Sequence, residues 1–486
     1  MFGMLGAVQN TLIIALGGFV SLIMLLAFFA PSIFMRNRLV VSLWGKFEST
    51  DEIKKFSFLA FIFFLIVGTY WGLRPVKDSI FGAMVGLKAY QPFAKILSLI
   101  MIVPLIIFYN KLIDRYPRRK LFYILFTVYG LLALLFMAVF LHPTLGLANT
   151  VASPYRIFGW LWYVYVESFG SLMIGALFWA FTTDITLPES AKRGFPLIYL
   201  FGQMGNILGP KLLRATNFGF ANSAPVVGIL AVLMLSIVFF MWLFLRVTPE
   251  SQLKAYEGEV IEKEEKKKEK EGFLDGLKHL LKHKYLLGIA GIIIFFEIIV
   301  TILDYNFKAL AQDFFTVGGV LMEKNLGAYL ASYGVWTGIV STLCVLFGIN
   351  SIQRKLGMRV SLVLMPLVVL IAVLVLRLNP ILAVAFWIMV FSKAVNYALN
   401  QPTLKQAYIP TTKESKYKAQ SWIEMFGGRS SKATGSAINV VNGFSPAFYV
   451  VLSTVVSLGL IGVWVLIAIF VAKTYTQAIK ENKVVC

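Results

Sequence analysis

Ile261–Lys284 reads IEKEEKKKEKEGFLDGLKHLLKHK and interrupts a chain that is otherwise strongly apolar. Mixed charge of this density cannot enter a bilayer. The stretch is therefore a linker, and Phe273–Lys282 at its end forms an amphipathic helix with Phe273, Leu277, Leu280 and Leu281 on one side. Ahead of it lie apolar runs long enough to span: Phe56–Leu73, Tyr90–Ile113, Leu121–Leu141, Ile157–Ile185, Phe195–Leu213 and Ser223–Leu245. Behind it lie Leu286–Leu310, Leu326–Ile349, Val360–Leu376, Ile381–Leu399, Ala419–Val441 and Phe448–Val471. Two such sets around a charged loop are the layout of a two-bundle secondary carrier. The fold expected is an all-α integral membrane protein with twelve core transmembrane helices in two six-helix bundles.

The segments divide as 1–54 (hydrophobic helix and amphipathic linker), 55–248 (N-terminal bundle), 249–284 (charged cytoplasmic linker) and 285–486 (C-terminal bundle and tail). Asn10–Phe34 is an extra apolar run with no Lys or Arg before it and Arg36, Arg38 and Lys46 after it. A cleavable signal would carry the opposite bias, so it reads as an additional spanning or interfacial helix. Lys and Arg number 45 against 24 acidic residues. In a membrane protein much of that excess is cytoplasmic loop charge, as in Asp114–Lys120, Leu187–Arg193 and Lys413–Lys418, and not a nucleic-acid surface. Cys344 and Cys486 read as free thiols. His142, His279 and His283 match no metal spacing, and no phosphate loop or HExxH motif is present. No cofactor, metal or protein partner is implied.

Charges inside the spans bear on substrate. In FSKAVNYALNQPTLKQAYIPTTKESKYKAQSWIEMFGGRSSKATG (Phe391–Gly435), Lys393, Asn396 and Asn400 share a helical face, and Arg429, Lys432, Ser436 and Asn439 make a second polar stripe. Snorkelling accounts for Lys405, Lys413, Lys416 and Lys418, but poorly for Lys393, which an apolar run meets without a break. Arg74 and Lys77 flank Pro75, which is expected to break or bend the helix and cluster the two cations at one depth. The plainer alternative is an outer interfacial anchor paired with Asp78. Glu167 has no basic neighbour in sequence and needs a cation from another helix, or a proton. Glu297 and Asp304 share a face, and Asp304 can pair with Lys308 along its own helix. Gln203 and Asn206 sit among glycines that permit close packing, and serve either packing or amide recognition of a base or phosphate. Cations outnumber carboxylates, so the natural substrate is a multiply charged, phosphorylated anion.

The halves repeat each other weakly. Glu189-Ser190 matches Glu414-Ser415 and Phe201-Gly202 matches Phe426-Gly427, both 225 positions apart. Lys77 corresponds to Lys308, and Glu167 to Lys393 within one residue. The common order supports parallel repeats with a site between bundles.

FSKAVNYALNQPTLKQAYIP, KYK at 416–418, WIE at 422–424 and Lys432 together resemble the non-mitochondrial ATP:ADP antiporter family of intracellular bacteria and plastids, the TLC nucleotide transporters. LRPVKD at 73–78, VES at 166–168, FWAF at 178–181 with Asp184 and AKR at 191–193, and DYNFK at 304–308 agree with it. The resemblance covers most of Lys54–Asn442. It implies a major-facilitator-like arrangement and exchange of ATP for ADP or related nucleotides, phosphate included. It also implies substrate lysines at Lys77, Lys393 and Lys432 and acidic residues at Glu167 and Asp304. The family usually has Glu at Asp304 and Lys at Asn396. The candidate substrate-binding set is Lys77, Glu167, Gln203, Asn206, Asp304, Lys308, Lys393, Asn396, Arg429 and Lys432. No Ser/Arg-rich leader precedes Asn10, so the expected home is the cytoplasmic membrane of an intracellular bacterium and not a plastid envelope. The alternatives are a proton-coupled importer of nucleotides or other organophosphates, with Glu167 or Asp304 as proton site, and a membrane-embedded transferase, for which no nucleophile or base constellation appears.

Overall fold

The computed structural model describes residues 2–36, 38, 47–116, 118–186, 188–253, 275–347, 349–408, 410, 411, 423, 427–481, 483 and 485. The described chain is helical apart from one two-stranded hairpin. Its helices are α1 (Phe2–Phe29), α2 (Pro31–Arg36), α3 (Thr50–Met84), α4 (Leu87–Arg115), α5 (Arg118–Leu141), α6 (Ile157–Phe169), α7 (Trp179–Asp184), α8 (Pro188–Leu212) and α9 (Ala224–Val247) in the first half. The second half has α10 (Asp275–Lys282), α11 (Lys284–Phe314), α12 (Glu323–Phe347), α13 (Ile349–Leu378), α14 (Leu382–Val395), α15 (Gln401–Ala407), α16 (Gly428–Phe444) and α17 (Pro446–Glu481). Among the described residues, 9 helices are long and apolar enough to cross a membrane. In the amphipathic helix α10, Leu280 is buried but Leu281 is exposed, and Phe273 lies outside the described residues.

The chain divides into two compact units: Met1–Gly86 with Met101–Glu257 and Phe315–Ile339, and Leu87–Ile100 with Gly258–Phe314 and Val340–Cys486.

In the first unit α3 starts earlier and ends later than the apolar run alone indicates. Ser49 caps it, its hydroxyl accepting from the Glu52 N–H at 3.1 Å, while the Glu52 carboxylate accepts from the Glu48 N–H at 2.7 Å. This box-like pair of bonds, whose return bond goes to Glu48 ahead of the cap, fixes the start together with Asp51 and Glu52 in the first turn against the helix dipole. At the other end the expected break at Pro75 does not occur: α3 runs through it to Met84. Packing compensates for the missing amide, as it does in many membrane helices. The main partner of α3 is α8, and glycines set the distance. A Cβ on Gly209 would lie 2.2 Å from the Gly68 carbonyl oxygen, and one on Gly205 2.5 Å from that of Phe64. The extra helix α1 joins this unit, with Phe28 edge-on to Phe58 and Lys211 donating to Asn10 at 2.6 Å.

The second unit repeats the pairings. As α3 packs on α8 and α5 on α9, so α11 packs on α16 and α13 on α17. Gly435 is again the close-approach residue: a Cβ there would lie 2.8 Å from the Ile298 carbonyl oxygen. The hairpin, Thr316–Val317 against Val320–Leu321, belongs to the first unit and turns through Gly318 and Gly319 at φ 58° and 81°. Both central residues of such a turn need positive φ, which glycine supplies without strain.

The fourth spanning element of each half is broken by a π-helical segment. In the first it is Gly170–Phe178, between α6 and α7. In the second it is Asn396–Asn400, between α14 and α15. The charged residues Glu167 and Lys393 each stand three positions before the segment begins. Such π turns are frequent at functional sites.

Candidate functional site

In the first unit the cluster forms around Lys77. Only 4% of its side chain is exposed, and its ammonium bonds to Glu167, lies 3.5 Å from Asp78 and sits 4.0 Å from the Tyr163 ring centre. Tyr163 and Glu167 are one helical turn apart on α6, so one face of that helix supplies both the π-face and the carboxylate. Glu167 thus has the cation from another helix that its sequence context requires. Arg74, one turn before Lys77, stacks its guanidinium on Trp71, 4.6 Å away, and on Tyr70 at 5.9 Å, both on its own helix. The continuous helix through Pro75 turns the two cations to different neighbours.

Gln203 is exposed, whereas Asn206 is buried and its Oδ1 has no hydrogen-bond partner among the described residues. An unsatisfied buried acceptor costs roughly 1–3 kcal/mol, so Asn206 has an unused bonding capacity that packing alone does not explain.

In the second unit Asp304 on α11 is the hub. Its Oδ2 accepts from Lys308 and from Lys95, each at 3.0 Å. The Lys308 contact runs along the helix as its spacing predicts. Lys95, on α4, was not among the expected site residues, although a lone lysine inside an apolar span is the same signal that singled out Lys393. Lys393 places its ammonium 5.9 Å from the Phe296 ring centre. Beside that ring, Glu297 lies 3.7 Å from Lys432. Asn396 is turned inward, where its Oδ1 accepts from Asn400 at 2.8 Å. Its amide is engaged within its own π segment.

The polar stripe on α16 splits by neighbour. Arg429 and Lys432 stand on its first turns. Ser436 and Asn439 are buried, and Asn439 donates to the Thr301 carbonyl at 3.3 Å and accepts from Tyr449 at 3.1 Å. The lower half of the stripe is helix packing, and only the upper half is placed with charges. Arg193 of the AKR motif is structural in this sense too: it bridges Glu48 at 2.7 Å and Glu52 at 2.8 Å, tying α8 to the capping box of α3.

Each cluster combines lysines with carboxylates. Within the first, Arg74 and Lys77 balance Asp78 and Glu167 in formal charge. The second unit carries Lys95, Lys308, Lys393, Arg429 and Lys432 against Glu297 and Asp304 in number, a formal excess of three positive charges among the named residues. An arrangement of this kind can exchange an internal carboxylate for a ligand phosphate at each paired lysine.

Comparison with known proteins bears on these clusters. The family model described as TLC ATP/ADP transporter matches residues 36–477. The chain is 26% identical over 436 residues to ADP,ATP carrier protein 1 of Rickettsia prowazekii (strain Madrid E), covering 80% of this chain and 85% of that protein. It is 26% identical over 504 residues to ADP,ATP carrier protein 1 of Chlamydia pneumoniae, covering 90% and 94%. Among solved structures it is similar to a bacterial homologue of the iron transporter ferroportin in its inward-facing state (TM-score 0.59, 13% identity, 86% of this chain and 99% of that one). It is also similar to a POT family transporter in complex with 5-aminolevulinic acid (TM-score 0.59, 11% identity, 87% and 96%). At these identities the structural likeness concerns the fold, which is that of the major-facilitator-type transporters.

Proposed function

Because this chain belongs to the TLC ATP/ADP transporter family, we propose that it exchanges ATP for ADP across a membrane by alternating access, with phosphate as a further candidate substrate. It is a multi-pass membrane transporter and not an enzyme. The relatives named as ADP,ATP carriers come from Rickettsia and Chlamydia, which supports the cytoplasmic membrane of a bacterium as its location.

The observation that carries the reading is the charge balance of the second cluster. Its excess cations suit a polyphosphate, and the paired lysines in both clusters have carboxylates ready to take the phosphate's place when it leaves. This alters the physical basis for exchange. Bare mutual repulsion of cations in an emptied site is not the barrier in the first unit, where the charges balance. It remains in the second, where reorientation without a bound anion leaves several positive charges in a partly desolvated interior, at a cost of several kcal/mol. Liposomes loaded with ADP are expected to take up labelled ATP rapidly at zero pH and voltage gradient, and buffer-loaded ones are not. Equal initial uptake into both would replace exchange with proton-coupled import.

Lys393→Ala tests the phosphate assignment. Lys393 is half-buried, with an aromatic ring beside it and no carboxylate within ion-pair distance among the described residues, so its loss disturbs folding less than that of Lys77 or Lys308. Removing one charged hydrogen bond is expected to weaken nucleotide binding roughly tenfold to a hundredfold. Calorimetric titration of the purified variant checks this, and wild-type affinity would remove Lys393 from the site.

A further inference from the structure

The first unit contains a cavity apart from the charge clusters. It is a groove of about 590 Å³ between α4, α5, α6 and the start of the π segment. Leu105, Leu112, Leu125, Val128, Leu132 and Leu161 are among its walls. The hydroxyls that border it are satisfied within the protein. Tyr129 and Ser168 bond at 2.8 Å, and Tyr165 donates to the Tyr129 carbonyl at 2.8 Å. The groove therefore offers no polar partner and suits a hydrocarbon.

Its ends define the rest of the ligand. Along α5 it runs from Leu125 to Val139, roughly 21 Å at the helical rise. That exceeds the roughly 15 Å half-thickness of a bilayer's hydrocarbon core, the length one acyl chain spans. The inner end meets the α4–α5 turn, Asp114-Arg115-Tyr116-Pro117-Arg118-Arg119-Lys120, where Arg115, Arg119 and Lys120 are exposed. Leu112 is three residues from Arg115 and Leu125 six from Arg119, so cations stand within roughly 5–9 Å of the groove along the helix axes. An apolar slot long enough for one acyl chain, ending at clustered cations on the side that the sequence assigns to the cytoplasm, matches one amphiphile. We propose that this groove is a binding site for an anionic phospholipid, its acyl chain between α4, α5 and α6 and its phosphate at Arg115, Arg119 and Lys120.

The back wall of the groove is α6, whose other face carries Tyr163 and Glu167. The lipid therefore packs directly behind the helix that holds Lys77.

Trp162, within 5.3 Å of the Phe136 ring that borders the groove, serves as reporter. The full chain in phosphatidylcholine vesicles is titrated with brominated phosphatidylglycerol or brominated phosphatidylcholine, and tryptophan quenching is read. Wild-type protein is expected to reach half-maximal quenching at a mole fraction at least tenfold lower for phosphatidylglycerol. Arg115→Gln/Arg119→Gln/Lys120→Gln is expected to abolish that preference, since each cation near an anionic headgroup contributes a several-fold factor. Val128→Phe and Leu132→Phe, which fill the slot without changing charge, are expected to lower quenching by both lipids. Should these two fail to fold, the charge variant, confined to exposed residues, still decides. Equal quenching by the two lipids in wild type, or an unchanged preference in the charge variant, overturns the proposal. So does disulfide-linked dimer formation by Leu132→Cys in native membranes, which would seat a second copy of the chain there.

Discussion

Lys77→Ala is expected to abolish nucleotide exchange and to lower the thermal stability of the purified transporter. Two losses combine. The ammonium is a candidate phosphate ligand, and losing one charged hydrogen bond reduces affinity tenfold to over a hundredfold. It is also the counter-charge for Asp78 and Glu167. Removing one partner of a buried pair costs about 3–5 kcal/mol, because the other charge is left in a poor solvent. Glu167 is 39% exposed and can relax toward water, so the lower end of that range applies to it, while Asp78 at 7% has no such relief. The two losses separate in a neutral triple variant, Lys77→Met/Asp78→Asn/Glu167→Gln. Its unfolding temperature is expected to return toward wild type, since uncharged replacements of a buried ion cluster are often neutral. Its transport is not expected to return. Wild-type uptake by Lys77→Ala would take Lys77 out of the transport cycle.

Asp304→Asn is expected to act in the opposite direction on binding. One carboxylate oxygen holds both Lys95 and Lys308 at 3.0 Å, so the two nitrogens are no more than about 6 Å apart. Without the carboxylate charge they repel by about 3 kcal/mol at an effective dielectric constant near 20. A bound phosphate would relieve this repulsion, and its release would restore it. Nucleotide affinity is therefore expected to rise roughly tenfold to a hundredfold, with turnover falling by a similar factor. Binding by calorimetry and counterflow rates in proteoliposomes report the two quantities separately. Weaker binding would mean that Asp304 touches an uncharged or positive part of the substrate.

The spans were legible because a bilayer leaves few alternatives to long apolar helices, and the pairing of Lys308 with Asp304 because four-residue spacing forces it. Other features depend on which neighbour a face meets. The stripe on α16 announces a polar face, yet nothing in its periodicity says that Asn439 reaches Thr301 while Lys432 reaches Glu297. Lys95 was not singled out in the sequence, and only the fold brings it to Asp304, 209 positions away. Pro75 is a local helix breaker by its own chemistry, and the packing around α3 overrides it. The start of that helix was readable in Ser49 and Glu52, but the charges around them pointed to a linker.

The π segments explain a length mismatch between the two halves. Glu167 precedes Glu189 by 22 positions (189 − 167), and Lys393 precedes Glu414 by 21 (414 − 393). In a continuous α-helix one added residue would turn every later side chain by about 100° and scramble the face that follows. A π turn takes up an extra residue locally and leaves the downstream faces in place. The first half, with the longer π segment, is the one with the longer spacing. A chain assembled by duplication of a single ancestral half could therefore lose or gain a residue at this point in either copy and still aim its later helices correctly. The fourth element of each half is thus the place where such a chain can absorb a single-residue insertion beside Glu167 or Lys393 without re-aiming the helices that follow.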